Sequence, residues 1–418
     1  MTFLKLPKPV LFIIKTLEKN NFEAYVVGGC VRDYLLGIKP KDWDICTNAT
    51  PTQIKKIFYN FNIIETGIKF GTMSIIIDKK SFEITTYRRD LEYANHRKPS
   101  KTLFINNLKE DLKRRDFTIN AMAYNDKFGI VDYFNGISHI KSKTICCVGN
   151  PSEKFQEDAL RIMRGIRFCS IYGFNIDQKT RNAMFKNSHL LNFLSTERIS
   201  SEFLKTLQGK YLSNAFKYFK NILVIIMPEL KSLTRIQWKL TEKYISQCEN
   251  LLQLRLALLF KFSYFNNFQQ NNDYTFFKSS NNLIIPKKYT NPVEKIIKNQ
   301  NMPTPSNIKE TCHILLKIDP NIYSLILKFK KACAINSKKY IKKILKAQNL
   351  LDIVIKNNIC YSKKQLKING EDLIKIGYKQ GPAIGQALNK ILNEIISKNL
   401  KNDKDVLIEF AKKINNND

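Results

Sequence analysis

The stretch Gly28-Gly29-Cys30-Val31-Arg32-Asp33, followed by Asp42-Trp43-Asp44, decides how the rest of this 418-residue chain is read. A glycine pair lets backbone N–H groups approach phosphate oxygens closely, and Arg32 can neutralise their charge. Asp42 and Asp44 alternate along an expected strand, which puts both on one face and Trp43 in the opposite face as core. Two aspartates on one face suit a hard divalent cation. Each motif alone is common: a DxD is usually just surface, and a glycine pair usually just a turn. The ordered combination points to the handling of a nucleoside triphosphate by phosphoryl transfer.

Working outward, Glu23-Ala24-Tyr25-Val26-Val27 reads as a buried strand leading into the glycines, and Val31 to Leu36 as a short helix ended by Gly37. Asp42 to Cys46 returns as a second strand. Ser74 to Ile77 and Phe82 to Tyr87 read as strands across the turn Asp78-Lys79-Lys80. Glu83 lies centrally in the second of these, with Phe82 and Ile84 facing the other way. It could supply a third carboxylate to orient or deprotonate an incoming hydroxyl. Residues 88–107 are polar and read as loop. A helix-and-strand pair over 108–124 and the segment Gly129 to Tyr133 complete a head of about 145 residues.

From Glu153 onward the period becomes helical. Phe155, Leu160, Ile162, Met163, Ile166, Phe168 and Ile171 mark one helix over 153–171, with Arg161, Arg164 and Arg167 every third residue. Helical periodicity recurs at 197–208, 213–226, 234–261, 307–334, 338–358 and 382–398. Residues 263–306, rich in Asn, Lys and Pro, read as loops. The expected class is α+β: a mixed-sheet head with helices, followed by an all-α remainder.

Composition narrows the partners. The formal charge of +33 attracts polyanions, although much of it can be solvated surface in a chain this rich in lysine. No apolar run approaches the ~18 residues of a membrane span, and the N-terminus lacks the apolar core of a secretory signal. Nine cysteines without CxxC spacing and four dispersed histidines argue against zinc and for reduced, cytoplasmic thiols. The same dispersion excludes a metal-bound histidine–aspartate phosphohydrolase cluster.

Further polar clusters admit two readings on their residues alone. In Arg114-Arg115-Asp116-Phe117-Thr118-Ile119-Asn120, Asp116 could be an N-cap and Arg114 a solvated surface group. Arg161 could be a helix-surface ion-pair partner of Glu157 or Asp158.

Taken together, these segments resemble the class II template-independent nucleotidyltransferases, the group of bacterial tRNA CCA-adding enzymes and bacterial poly(A) polymerases. The resemblance rests on the two opening motifs, Arg115 to Ala123, Asp132 to Gly136, Glu157 to Phe168, and Glu197-Arg198-Ile199 with Glu202. It implies a nucleotidyltransferase catalytic head over 1–146, a helical neck recognising the base over 147–208, a helical body over 209–305 and a tRNA-binding tail over 306–418. It implies Mg2+ held by Asp42 and Asp44 with Glu83 beside them as the catalytic set. Gly28, Gly29, Arg32, Arg115 and Asn120 would serve the nucleotide. Asp158 and Arg161 would read the base, supported by Arg164 and Arg167. Asp and Arg at i and i+3 share a helix face, and together they match the amine-plus-acceptor edge common to cytosine and adenine.

Thr66-Gly67-Ile68-Lys69-Phe70-Gly71-Thr72 is similar to the CCA-adding pattern, with Phe70 where a histidine is frequent. So is Tyr87 to Tyr93 followed by His96-Arg97-Lys98-Pro99, which in the family is a mobile loop. Ile368 to Leu373 with Gly377, Gly381-Pro382 and Ile384-Gly385 resembles the tail that grips the tRNA elbow, with Ala383 where an aromatic is common. The implied activity is template-independent addition of C, C and A to the tRNA 3′ end from CTP and ATP by two-metal phosphoryl transfer. Poly(A) addition, or partial CC- or A-only addition, is the alternative. No membrane and no protein partner is expected.

Overall fold

The computed structural model describes residues 4–94, 98–268, 283–335 and 337–417. It contains two compact units: Met1–Ser232 with Lys278–Ile284, and Leu233–Phe277 with Ile285–Asp418.

The first unit is built on a seven-stranded mixed sheet. Its strands are β1 (Ala24–Val27), β2 (Ile45–Thr47), β3 (Asn62–Gly67), β4 (Thr72–Ile77) and β5 (Lys80–Thr86). A separate two-stranded ribbon, β6 (Arg88–Ala94) and β7 (Lys98–Phe104), precedes the last two sheet strands, β8 (Met122–Asn125) and β9 (Gly129–Asp132). The spatial order is β3-β4-β5-β2-β1-β8-β9. β1 lies inside the sheet, antiparallel to both β2 and β8, whereas the central β2 runs parallel to β5 with Ile45 opposite Ile84. Tyr25, Val27, Cys46, Ala121 and Ala123 pack with Tyr87, Leu108 and Leu112 as one core cluster. Helix α1 (Lys8–Lys19) buries Val10, Ile13, Ile14 and Leu17, the spacing of one helical face.

Two short helices follow β1 and β2: α2 (Gly29–Leu35) and α3 (Pro51–Ile57). α4 (Leu108–Lys113) and α5 (Gly136–Lys141) flank β8 and β9. Then come α6 (Pro151–Glu157), α7 (Leu160–Tyr172), α8 (Gln178–Lys186), α9 (Thr196–Leu207) and α10 (Leu212–Ile226). α7 packs against α9 and α10.

The second unit is helical throughout its described residues. Its helices are Arg235–Gln247, Leu252–Phe268, Lys287–Lys298, Ile308–Leu315, Pro320–Cys333, Lys338–Lys356, Gly370–Lys375, Pro382–Ile396 and Lys404–Asn417. The last three pack around Leu373, Tyr378, Ala387, Ile391, Leu407 and Ala411. Among the described residues no helix is long and apolar enough to cross a membrane.

Several expectations need correction. Arg88–Ala94 and Lys98–Phe104 form the β6–β7 ribbon rather than loop; residues 95–97, with His96 and Arg97, lie outside the described residues. Residues 263–306, read as loops, contain the helix Lys287–Lys298, which tolerates Pro292 because Thr290, Val293, Ile296 and Ile297 bury one face; residues 269–282 lie outside the described residues. The single helix read over 153–171 is two helices, broken where Asp158 takes extended angles (φ −145°, ψ 103°). The strand read over 42–46 starts at Ile45, so Asp42 and Asp44 occupy its run-in. Trp43 is only half-buried, beside Tyr34, Lys39 and Pro40, rather than in the core.

Candidate active site

The chain leaves β1 through Gly28, whose φ of +83° only glycine adopts without strain. A side chain there would also collide with Arg115, since an added Cβ lies 2.9 Å from Nη1. The turn carries Gly29 and Arg32 to one wall of a cavity of about 640 Å³. Asp42 and Asp44 reach the same cavity, because the ladder beyond β2 persists through the bond from Val27 N–H to the Asp44 carbonyl (2.9 Å). Arg115, Asn120, Asp158, Arg161, Arg164 and Arg167 line it too. Of the residues expected at the site, Glu83 alone is absent from this wall. It is exposed on β5, and the Ile45–Ile84 register sets it beside Asp44.

The carboxylates feel one another. Burial raises the Asp44 carboxyl above its ordinary value, Arg115 opposes this, and Asp42 raises it again. Burial likewise raises Glu83, followed by the charges of Asp44 and Asp42.

The cavity's cations are largely held by acids. Arg32 is buried, donates to Asn120 Oδ1, and grips Asp33 Oδ1 through Nε (2.9 Å) and Nη2 (2.7 Å). Arg164 makes a two-pronged contact with Asp116 Oδ2 (2.7 and 2.6 Å). Asp116 also accepts from Asn120 Nδ2 (3.0 Å) and the Phe117 N–H (2.8 Å). Burial alone would raise the Asp116 carboxyl; Arg164 and these bonds outweigh it and hold it well below the carboxylate range. Arg167 pairs with Glu202 at 2.8 Å.

Asp158 and Arg161 do not share a continuous helix. Asp158 Oδ1 accepts from the Leu160 N–H (3.1 Å), capping the start of α7, and its carboxylate pairs with Arg198 at 2.9 Å. Arg161 pairs with Glu157 at 2.5 Å and donates to the carbonyls of Lys154 (3.1 Å) and Arg114 (3.0 Å). The Glu157 partner of the ion-pair reading is present, but Arg161 is buried rather than on a helix surface and also donates to two backbone carbonyls.

Comparison with known proteins supplies the family. The "Poly A polymerase head domain" model matches residues 24–146. "Probable RNA and SrmB- binding site of polymerase A" matches 173–233, and a tRNA nucleotidyltransferase domain 2 model matches 276–411. The CCA-adding enzyme of Ligilactobacillus salivarius is 36% identical over 97% of this chain and 96% of its own length. The chain belongs to the CCA-adding enzyme family. It is thus an enzyme, a tRNA nucleotidyltransferase by family. The Bacillus stearothermophilus CCA-adding enzyme, solved in complex with CTP, superposes with a TM-score of 0.76 at 27% identity over 99% of both chains. The Thermotoga maritima CCA-adding enzyme, complexed with tRNA, shares the fold (TM-score 0.69, 22% identity, 97% and 96% coverage).

Membership in a nucleotidyltransferase family implies use of a divalent metal. Asp42 and Asp44 fit such an ion as oxygen donors whose mutual repulsion a cation would relieve. Among the described residues no three acidic, His or Cys side chains cluster as a ready ligand set. A magnesium ion bound by one or two carboxylates, completed by water and phosphate oxygens, accords with that. The sequence marks Phe168 only as an apolar helix position and gives Arg198 no individual site role. Only the folded chain pairs Arg198 with Asp158.

Proposed function

We propose that this CCA-adding family member extends the tRNA 3′ end with C, C and A in turn, taken from CTP and ATP without a template. The observation that carries the proposal is one cavity lined by Asp42 and Asp44, by the cations Arg32, Arg115, Arg164 and Arg167, and by Asp158 with Arg161.

In this reading Gly28 and Gly29 bring backbone close to phosphate, and Arg32, Arg115, Arg164 and Arg167 hold the triphosphate and ribose, with Asn120 tying Arg32 to Asp116. Asp158 accepts from the exocyclic amine of C or A, and Arg161 donates to the neighbouring ring acceptor. U and G present the reverse edge. A carboxylate offers about four lone-pair sites, so Asp158 can accept a base amine while keeping Arg198. Arg161 must share or exchange a donor now given to Glu157 or a carbonyl. Asp42 and Asp44 would hold Mg2+, which would supply Lewis-acid stabilisation of the charge that develops on the phosphoryl group and the attacking hydroxyl. Glu83, beside Asp44, orients the RNA 3′ hydroxyl as it attacks the α-phosphorus and pyrophosphate leaves.

We assign the head to 1–146, the neck to 147–208, the body to 209–305 and the tail to 306–418, with the basic helical tail gripping tRNA phosphates. A cytoplasmic location is supported by nine unpaired thiols.

The test supplies tRNA ending at the discriminator base, at C or at CC with labelled CTP and ATP, and sequences the products. Stepwise completion to CCA is expected, with Asp42→Ala inactive. Long A tails on unrelated RNA, or equal activity of Asp42→Ala, would overturn the proposal.

A further inference from the structure

One aromatic ring stands against three of the cavity's cations. Phe168 lines the cavity and is 3% exposed. The guanidinium carbons of Arg167, Arg32 and Arg164 lie 4.6, 5.3 and 5.5 Å from its centroid. Arg32 also lies 4.8 Å from the ring of Tyr172, one turn further along α7. The two rings stack at 6.1 Å with 27° between their planes. Phe117 braces Phe168 edge-on at 5.8 Å. The Tyr172 hydroxyl donates to Asp33 Oδ1 at 3.0 Å, the same oxygen that receives Arg32.

Three cations gathered at one ring repel one another, and each has a carboxylate: Asp33, Asp116 or Glu202. A carboxylate fixes the edge of a guanidinium but leaves its plane free to swing about the paired bonds. An aromatic face restricts that swing, because its electron-rich surface attracts the cation. Phe168 and Tyr172 sit at i and i+4, so one face of α7 supplies the whole aromatic surface.

We propose that Phe168 and Tyr172 form an aromatic rail that sets the orientation of Arg32, Arg164 and Arg167 for a triphosphate, acting as positioning residues. This rests on the assignment of those arginines to the triphosphate made above.

The experiment replaces Phe168 with mono-, di- and trifluorinated phenylalanine, which drains the ring's negative face while nearly keeping its volume. Binding of inorganic tripolyphosphate to the full chain is measured by calorimetry, and kcat and KM are measured for CTP and ATP. The expected result is a stepwise weakening that reaches about tenfold, the scale of a partly desolvated cation–π contact. The Kd and both KM values rise together while kcat and product order stay fixed. Phe168→Leu should match the trifluorinated ring, and Tyr172→Phe should retain most of the affinity that Tyr172→Leu loses. A flat fluorine series overturns the inference, even where Phe168→Leu weakens binding with a lowered melting point, because that pattern is packing alone. A wild-type chain that incorporates neither CTP nor ATP removes the functional reading instead. A flat series in an active chain removes only the rail.

Discussion

Replacing Asp116 tests how the cavity is held together. Asp116 is 7% exposed, and its carboxylate receives Arg164 twice, Asn120 once and the Phe117 N–H once. Asp116→Asn can still accept from Asn120 and Phe117 but loses the charge opposite Arg164. Breaking a fully buried pair costs about 3–5 kcal/mol. The Arg164 side chain is 34% exposed, so water recovers part of this and about 2 kcal/mol remains. For a unit of this size that lowers the melting midpoint by about 4–8 °C. The pH dependence has a definite sign. The folded carboxyl lies below its unfolded value, so its contribution is complete above about pH 4 and is lost as pH falls toward the folded value. Thermal melts of wild type and Asp116→Asn should therefore differ most at neutral pH and converge below about pH 4. An equal midpoint at pH 7, or a gap that widens on acidification, would refute the reasoning.

Gly28→Ala should destabilise by about 1–3 kcal/mol from the positive φ alone, and should raise the KM for CTP by displacing Arg115, both measurable by melting and steady-state kinetics. Arg161→Ala should relax base choice by about tenfold or more, the scale of one lost charged hydrogen bond, with a smaller change in triphosphate affinity; sequencing of products made from mixed nucleotides measures it. Mg2+ affinity should begin to fall while pH is still above the usual carboxylate range, because Asp44 and Glu83 are both raised. Arg115→Gln should move that fall to still higher pH by removing the opposing charge, as calorimetric titration across pH will report.

Most side chains that line the cavity were legible in the sequence because their motifs are local. Gly28-Gly29 precedes a helix, Asp42 and Asp44 alternate, and Arg161, Arg164 and Arg167 repeat every three residues. What escaped was long-range or out of phase. The β6–β7 segments are rich in charged and polar residues in sequence, so no clear apolar alternation marks them. The break at Asp158 is masked because apolar positions from Phe155 to Ile166 keep a helical beat across it. Pro292 and its asparagine neighbours concealed the helix at 287–298, which stands on the burial of one face. The partner of Asp158 lies 40 residues away at Arg198, a separation that no local pattern encodes. Glu83 was legible as a strand residue beside Asp44, but its distance from the cavity wall depends on sheet register.

Pairing each cation of the Phe168 fan with its own acid has a consequence for selectivity among anions. An incoming phosphate must compete with Asp33, Asp116 and Glu202 for the guanidinium donors that these acids already hold. A lone phosphate, with one or two contacts to gain, meets the same resident competitors as a longer chain of phosphates. Only an anion long enough to engage several arginines together can tilt all three exchanges at once. In the proposed reaction the resting protein would thereby be guarded against occupation by the small anions of its surroundings, and the pyrophosphate by-product, one phosphorus shorter than the substrate's chain, would be the species it retains less tightly.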